Sequence, residues 1–327
     1  MERVLVTGGT GFTGSHLVRT LLQGGDQVRV LTRNAARARE KLSAAVEILE
    51  GDVTDRDAVA RSVRGRDVIY HLAAAFREPG IPDSRYHEVH VDGTRNLLEA
   101  ARAEGVRRFV HVSTVGVYSH IAHPPADESW PHNPGDIYQE TKSKGEQLAL
   151  AFQRENDFPL TVIRPAGIYG PGDLRLLKLF RPIARRRFVM LGDGRTLFHM
   201  VHVRDLVAGI RLAAERDAAV GEAFIIAGEE YCSLQELAAR IARAWRVPPP
   251  RLHLPVWPFF AAAAVCEAVC TPLGIDPPLY RRRVAFFTKT RAFRIAKAKR
   301  VLGYRPTVAL DDGLRETAEW YRAEGYV

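Results

Sequence analysis

Short apolar, largely β-branched runs alternate with longer amphipathic stretches through the first half of the chain. The runs Arg3 to Thr7, Gln27 to Thr32, Val46 to Glu50, Val68 to Leu72, Arg108 to Ser113 and Leu160 to Arg164 predict strands. Between them, Gly14 to Gln23, Asp55 to Val63, His87 to Glu104 and Tyr138 to Glu155 carry helical periodicity. Strands alternating with helices of this length predict βαβ units and a parallel sheet, and near-continuous apolar runs such as RVLV and DVIYHLA suit a sheet covered on both faces. The fold class expected is α/β, a Rossmann-type doubly wound parallel sheet. After the turn cluster Tyr169 to Asp173 the alternation loosens, while MVHVRDLVAGIRLAAE and GEAFIIAG read as a helix and a strand returning to the sheet. The expected division is a dinucleotide-binding domain over 1–169 with 200–228 returning to it, and a smaller substrate lobe from 170–199 and 229–327.

The helical stretch after the first strand opens with TGGTGFTGSHL, four glycines within positions 8–14. Such density serves a tight turn or the close approach of a ligand to backbone. With a strand before and a helix after, Gly8 suits the sharp exit, Gly11 the approach of a pyrophosphate and Gly14 the packing of helix on sheet. The helix N-terminus, reached through Thr10, Phe12 and Thr13, offers free N–H groups and the positive end of its dipole to phosphates. At the end of the second strand, where a carboxylate would bind ribose hydroxyls and favour NAD, the chain has Thr32 and Arg33. An arginine there suits a 2′-phosphate, so NADP is the expected cofactor and NAD the alternative. Asp52 and Val53 at the tip of the third strand are placed to border an adenine, and Leu72, Ala73 and Ala74 follow the fourth strand.

Tyr138 and Lys142, in YQETK, stand four apart and share one face of a helix. A tyrosine that exchanges protons near neutrality needs a nearby cation to stabilise its phenolate, and Lys142 supplies one. Ser113 and Thr114 put hydroxyls at the carboxyl edge of the fifth strand, where doubly wound sheets bind ligands.

Composition narrows the alternatives. The net charge of +9 suits acidic partners, but the basic residues are scattered and their densest groups, ARRRF and YRRRV, are short. A solvated surface is favoured over nucleic-acid binding. Cys232, Cys266 and Cys270 make neither a disulfide framework nor a zinc pattern, so no metal is expected and buried thiols in a reducing cytoplasm are. No signal peptide is expected, because the chain runs directly into Val4 to Val6. The apolar segment Leu254 to Ile275 contains Glu267 and several prolines and is too short to span a bilayer. It is expected to be a core or pocket-lining helix rather than a membrane-surface element.

TGGTGFTG, GDVTD, HLAA, VSTVGVYS, YQETK and IRPAGIYGPGD stand in the order found in extended short-chain dehydrogenases/reductases, the NAD-dependent epimerase/dehydratase superfamily, and the chain resembles that family over essentially its whole length. The resemblance implies Tyr138 as catalytic acid/base, Lys142 as its pKa-lowering partner and ribose ligand, Thr114 as the hydroxyl that orients substrate, and Pro165 and Ile168 at the nicotinamide. It also implies a homodimer through the helices of Leu97 and Tyr138. Nucleotide-sugar members usually carry an Asn and an Arg for the substrate diphosphate where this chain has Gly167 and Phe198, which counts against such a substrate. AGIYGPGD, LHLPVWPFFAAAAVCEAVC and KAKRVLGYRPTVALDDGLRETAEWY are similar to the 3β-hydroxysteroid dehydrogenase and dihydroflavonol reductase branch. An apolar lobe of Trp257, Phe259, Phe260, Phe286 and Phe287 would suit a bulky sterol- or flavonoid-like alcohol or ketone. His90 stands where the family commonly has an Asn that supports a buried water. The alternatives are a nucleotide-sugar epimerase or dehydratase that keeps its nicotinamide bound, and a non-catalytic dinucleotide sensor, which would have no use for an acid/base set.

Overall fold

The computed structural model describes residues 1–76, 81–270 and 280–327, the last with Arg282 and Arg283 as backbone alone. The first half runs β1 (Arg3–Thr7), α1 (Phe12–Gln23), β2 (Gln27–Thr32), α2 (Ala35–Lys41), β3 (Glu47–Glu50), α3 (Arg56–Val63), β4 (Val68–His71), α4 (Asp83–His87), α5 (Gly93–Ala103), β5 (Arg108–Val112), α6 (Ile137–Asn156) and β6 (Leu160–Pro165). The second runs β7 (Gly167–Tyr169), α7 (Leu177–Ala184), β8 (Met190–Leu191), β9 (Leu197–His202), α8 (Val203–Glu215), β10 (Ala223–Ile226), β11 (Tyr231–Ser233), α9 (Leu234–Ala244), β12 (His253–Leu254), α10 (Trp257–Cys270), α11 (Arg281–Val284) and α12 (Leu310–Ala323).

The main sheet has seven strands in the order β10-β6-β5-β4-β1-β2-β3, every pair parallel. Successive strand side chains point to opposite faces, so β1 divides its apolar residues between two cores. Val4 and Val6 join Leu17, Val18 and Leu21 of α1 and Leu206 and Ile210 of α8. Leu5 joins Val59 of α3, Leu97 of α5 and Ile69 and Phe109 of the neighbouring strands. Strand order reverses between β1 and β4, the switch point at whose carboxyl ends doubly wound sheets leave a crevice.

A second sheet, β11-β9-β7, packs on α7, α9 and α12 through a third core that includes Phe180, Leu237, Leu314 and Tyr321. α9 starts on a capping box, Ser233 accepting from the Glu236 amide while the Glu236 carboxylate receives the Ser233 amide. β8 and β12 form a separate parallel ribbon beside α10 and α11.

Several expectations need correction. The single helix foreseen over 87–104 is α4, a π-turn at Glu88–Asp92 and α5. α10 is not a core helix: Ala263 is its one buried residue, and Trp257 is 73% exposed rather than part of an apolar lobe. Residues 271–275 of that apolar segment lie outside the described residues. Cys232 is buried, but Cys266 and Cys270 are only half-buried.

Gly14 fixes how α1 meets the sheet. A Cβ there would stand 2.1 Å from the Gly8 carbonyl oxygen, and backbone cannot yield as a flexible side chain would. Gly14→Ala is therefore expected to cost at least ~2 kcal/mol, the range of overpacking in a rigid site. Urea unfolding of the two proteins measures it, and equal midpoints would contradict the close packing described.

Candidate active site

Gly8 leaves β1 with φ +72°, a left-handed conformation that glycine adopts without strain. A side chain there would meet the backbone of Leu72 and Ala73 at 2.8 Å, so the turn passes directly over the exit of β4. The Gly11 amide donates to the Gly8 carbonyl at 3.0 Å, and Gly11 then serves as N-cap of α1 with no side-chain cap and no acidic residue in the first turn. Gly8, Thr10, Gly11, Phe12, Thr13 and Gly14 thus form one concave turn with unscreened helix N–H groups. Gly14 acts differently from the expectation: its bare Cα seats the helix on the turn's own carbonyl. These features fit a dinucleotide pyrophosphate.

Basic residues follow β2, the strand beside β1, and one of them reaches this turn. Arg33 is exposed at the end of β2, directly before Asn34, whose side chain caps α2 by accepting the Arg37 amide. α2 then returns Lys41, whose Nζ donates to the Thr10 carbonyl at 2.7 Å. Burial, then the neighbouring Arg37 charge, lowers the Lys41 pKa. Sequence reasoning missed Lys41, since nothing local relates it to Thr10. Arg175, also missed, stacks over Phe12 at 5.6 Å and Phe76 at 5.8 Å and donates to the Ile168 carbonyl, laying the Gly170 to Arg175 turn across the cleft.

Past β3 the Gly51 amide bonds the Thr32 carbonyl, which draws Asp52 toward the end of β2. Asp52 is committed to the Thr54 amide and hydroxyl and to Arg85, and although burial opposes ionisation these bonds keep its pKa low. Val53 is buried against Gly93. Leu72 and Ala73 bond back to Thr7, Ala74 follows them exposed, Pro165 is buried at the end of β6 and Ile168 is half-buried in β7.

The residues expected to handle the proton gather at the carboxyl end of β5. Thr114 caps a short turn over Val115–Tyr118, its Oγ1 accepting the Gly116 amide at 2.9 Å. A Cβ on Gly116 would lie 3.4 Å from Gln139, so this turn rests on α6 one residue past Tyr138. Tyr138, half-buried, is set edge-on to Phe76 and His90 with ring centroids 5.0 Å and 5.5 Å away. Lys142, one turn on, is buried and donates to the Val112 carbonyl at 2.7 Å. Burial draws its pKa down to about 8, an effect that Glu146 partly offsets.

Glu146 is wholly buried, receives Ser113 Oγ at 2.5 Å and Arg164 Nε at 2.9 Å, and is a positioning residue absent from the sequence reading. The one signal for it is its place a helical turn beyond Lys142.

Three histidines lie behind the site. Thr94 Oγ1 donates to the His90 carbonyl and so receives His71 Nε2–H, which makes His71 Nδ1 the acceptor of the Thr7 hydroxyl. The Ala75 amide donates to His90 Nε2, so His90 Nδ1 carries the proton and gives it to Thr141, which donates to the Ile137 carbonyl. His90 therefore ties the exit loop of β4 to the first turn of α6, with both nitrogens engaged. His111 is buried beside His71, rings 5.3 Å apart, and neither of its nitrogens has a hydrogen-bond partner among the described residues.

The family described as "NAD dependent epimerase/dehydratase family" matches residues 4–227. The chain is 34% identical over 342 aligned positions to the 3 beta-hydroxysteroid dehydrogenase/Delta 5-->4-isomerase of Mycobacterium tuberculosis (strain ATCC 25618 / H37Rv), covering 98% of this chain and 90% of that protein. It is 32% identical over 327 positions to the 2-alkyl-3-oxoalkanoate reductase of Stenotrophomonas maltophilia (strain K279a), covering 96% and 97%. The crystal structure of the dTDP-glucose 4,6-dehydratase DesIV from Streptomyces venezuelae, with NAD and TYD bound, superposes with a TM-score of 0.78 at 30% identity over 99% of this chain and 98% of that one. The doubly wound sheet and glycine turn, together with full-length relatives named as dehydrogenases and reductases, define a dinucleotide-dependent enzyme of the oxidoreductase class. The chain belongs to the NAD-dependent epimerase/dehydratase family.

Burial and the Lys142 charge hold His71 near pKa 3 and His90 near 2, and lower His111 as well. Unfolded, each titrates near 6.5, so the stability gained from keeping them neutral is complete above that pH and is lost as pH falls below it. Unfolding free energy should drop by up to ~1.4 kcal/mol per pH unit for each histidine between pH 6.5 and about 5, above the carboxylate range. Urea titrations across that interval, with His90→Asn removing one proton from the slope, measure it; a flat profile would contradict the buried neutral cluster.

Proposed function

We propose that the protein transfers a hydride between NADP(H) and a secondary alcohol or ketone on a bulky apolar molecule. The observation that carries this reading is the convergence of Thr114, Tyr138 and Lys142 on the carboxyl end of β5, one strand from the switch point that the glycine turn covers.

The nicotinamide supplies or accepts the hydride when bound. In reduction, Thr114 Oγ1 and the Tyr138 hydroxyl hold the substrate carbonyl oxygen. As carbon accepts hydride, Tyr138 gives its proton to that oxygen, and the ammonium of Lys142 stabilises the phenolate left behind. Oxidation runs the same steps in reverse. Glu146 favours the cationic form of Lys142 that burial opposes. Arg33 and Lys41 at the rim of the glycine turn support a 2′-phosphate and hence NADP, and no acidic residue follows β2 to bind ribose hydroxyls instead.

The substrate side is supported by what replaces polar anchors. Gly167 faces Met200, where a Cβ would meet its sulfur at 2.9 Å, and Phe198 is buried against Phe286 with centroids 4.7 Å apart. Phe286 in turn contacts Phe287, and Phe287 contacts Phe188. A lobe with this lining suits a water-poor ring system better than a sugar diphosphate. The relatives named for a 3 beta-hydroxysteroid and for 2-alkyl-3-oxoalkanoates point the same way.

Tyr138→Phe keeps the ring between Phe76 and His90 but removes the proton. With a panel of 3β-hydroxysteroids and alkylated β-keto acids, followed by nicotinamide absorbance, kcat should fall by about 10²–10⁴ while cofactor affinity stays within about threefold. Retention of full turnover would overturn the assignment, and stoichiometric NAD carried through purification would favour the epimerase alternative.

A further inference from the structure

α10 has an uncharged apolar stripe along its whole length. Trp257, Ala261, Val265 and Val269 recur every four residues, all exposed, with Trp257 at 73%, Val265 at 64% and Val269 at 56%. Leu252 and Leu254, exposed on the adjoining β12 segment, extend the patch. The opposite side of the helix packs Phe259, Phe260 and Ala263 onto Leu191, Val284 and Phe287. The helix's one charged residue, Glu267, is paired with Arg281 at 2.6 Å and lies off the stripe. A helix apolar on every side is ordinarily covered on every side, and a contiguous exposed patch of this kind marks a docking surface.

The charge around the patch identifies what it fits. β8 and β12 pair in parallel, so the segments leading into them, Arg185 to Arg187 and Arg251, lie at the same end of the ribbon, and all four arginines are exposed. Arg281 opens α11 against α10 with its side chain 64% exposed. Residues 185–193, 251–270 and 280–287 contain seven arginines and two acidic residues, Asp193 and Glu267. A second copy docked on the same face would bring two such cationic rims together. An anionic bilayer surface instead meets both features, taking the apolar stripe into its headgroup boundary and the arginines onto its phosphates. A helix of 14 residues is about 21 Å long, short of the ~30 Å hydrocarbon core, and so would lie in the interface plane.

We propose that α10 and the β8–β12 ribbon form a docking face for an anionic lipid surface. This inference stands apart from the assignment of the hydride-transfer residues and does not require it.

The test is sedimentation of the full chain with vesicles of phosphatidylcholine alone and of phosphatidylcholine with phosphatidylglycerol. Binding is expected to the anionic vesicles, at least about tenfold weaker to the neutral ones, and weakened by salt. Trp257→Ser/Val265→Ser changes no charge and touches exposed positions; it should reduce binding at least about tenfold with melting temperature and NADPH affinity unchanged. Arg185→Ala/Arg186→Ala should reduce binding by a similar factor. Failure to sediment with anionic vesicles would overturn the proposal. So would unchanged binding of the serine variant, which would reduce the effect to the chain's general positive charge, or a dimer in solution that the serine variant disrupts without any vesicle binding.

Discussion

The bare Cα of Gly14 lies against the Gly8 carbonyl, and much of the site follows from that contact. It lets α1 begin within five residues of the end of β1, so the helix N-terminus opens at the carboxyl edge of the sheet rather than beyond it. The turn can then lie on the backbone that leaves β4, and that strand's exit loop runs on to Ala75, which His90 holds. His90 in turn sets the first turn of α6, where Tyr138 sits. The glycine turn and Tyr138 are thereby joined by a short path of backbone contacts and hydrogen bonds.

The ionisable groups behind the cleft are sorted by burial and neighbours. Three imidazoles are kept neutral while one ammonium is kept among them, its charge favoured by the buried Glu146 carboxylate. A cation beside Tyr138 is useful only if nearby groups do not compete for protons, and histidines kept neutral by burial meet that condition, His71 and His90 with both nitrogens committed and, among the described residues, His111 with neither. His90 in place of the family's Asn is thus a structural brace: with Nδ1 on Thr141 and Nε2 on Ala75, it has no nitrogen left for a relay.

Where the chain's information is local, the fold and the geometry of the candidate site are legible in it. The strand, glycine turn and helix at positions 3–23 need only period and turn chemistry, and the Tyr138–Lys142 spacing needs only a helix. What escaped is what depends on contacts distant in sequence. Lys41 matters because it reaches Thr10, and Glu146 because Arg164 and Ser113 arrive from two strands. The π-turn at Glu88–Asp92 carries an ordinary helical pattern in sequence; its distinguishing mark is the approach of Gly145, where a Cβ would stand 2.2 Å from the His90 carbonyl. The sequence of α10 suggests core because apolar composition usually means core, and only the packing around it reveals that, among the described residues, one side alone is covered.

We infer that the glycine turn holds a dinucleotide whose 2′-phosphate is recognised by the basic residues that follow β2. Fluorescence titration of the protein with NADPH and NADH, repeated on Arg33→Asp, tests it most directly. NADPH is expected to bind more tightly, by about tenfold or more, on the order of one charged hydrogen bond, and to lose that margin in the variant. Equal affinity for the two cofactors, or a preference for NADPH that survives the substitution, would contradict it.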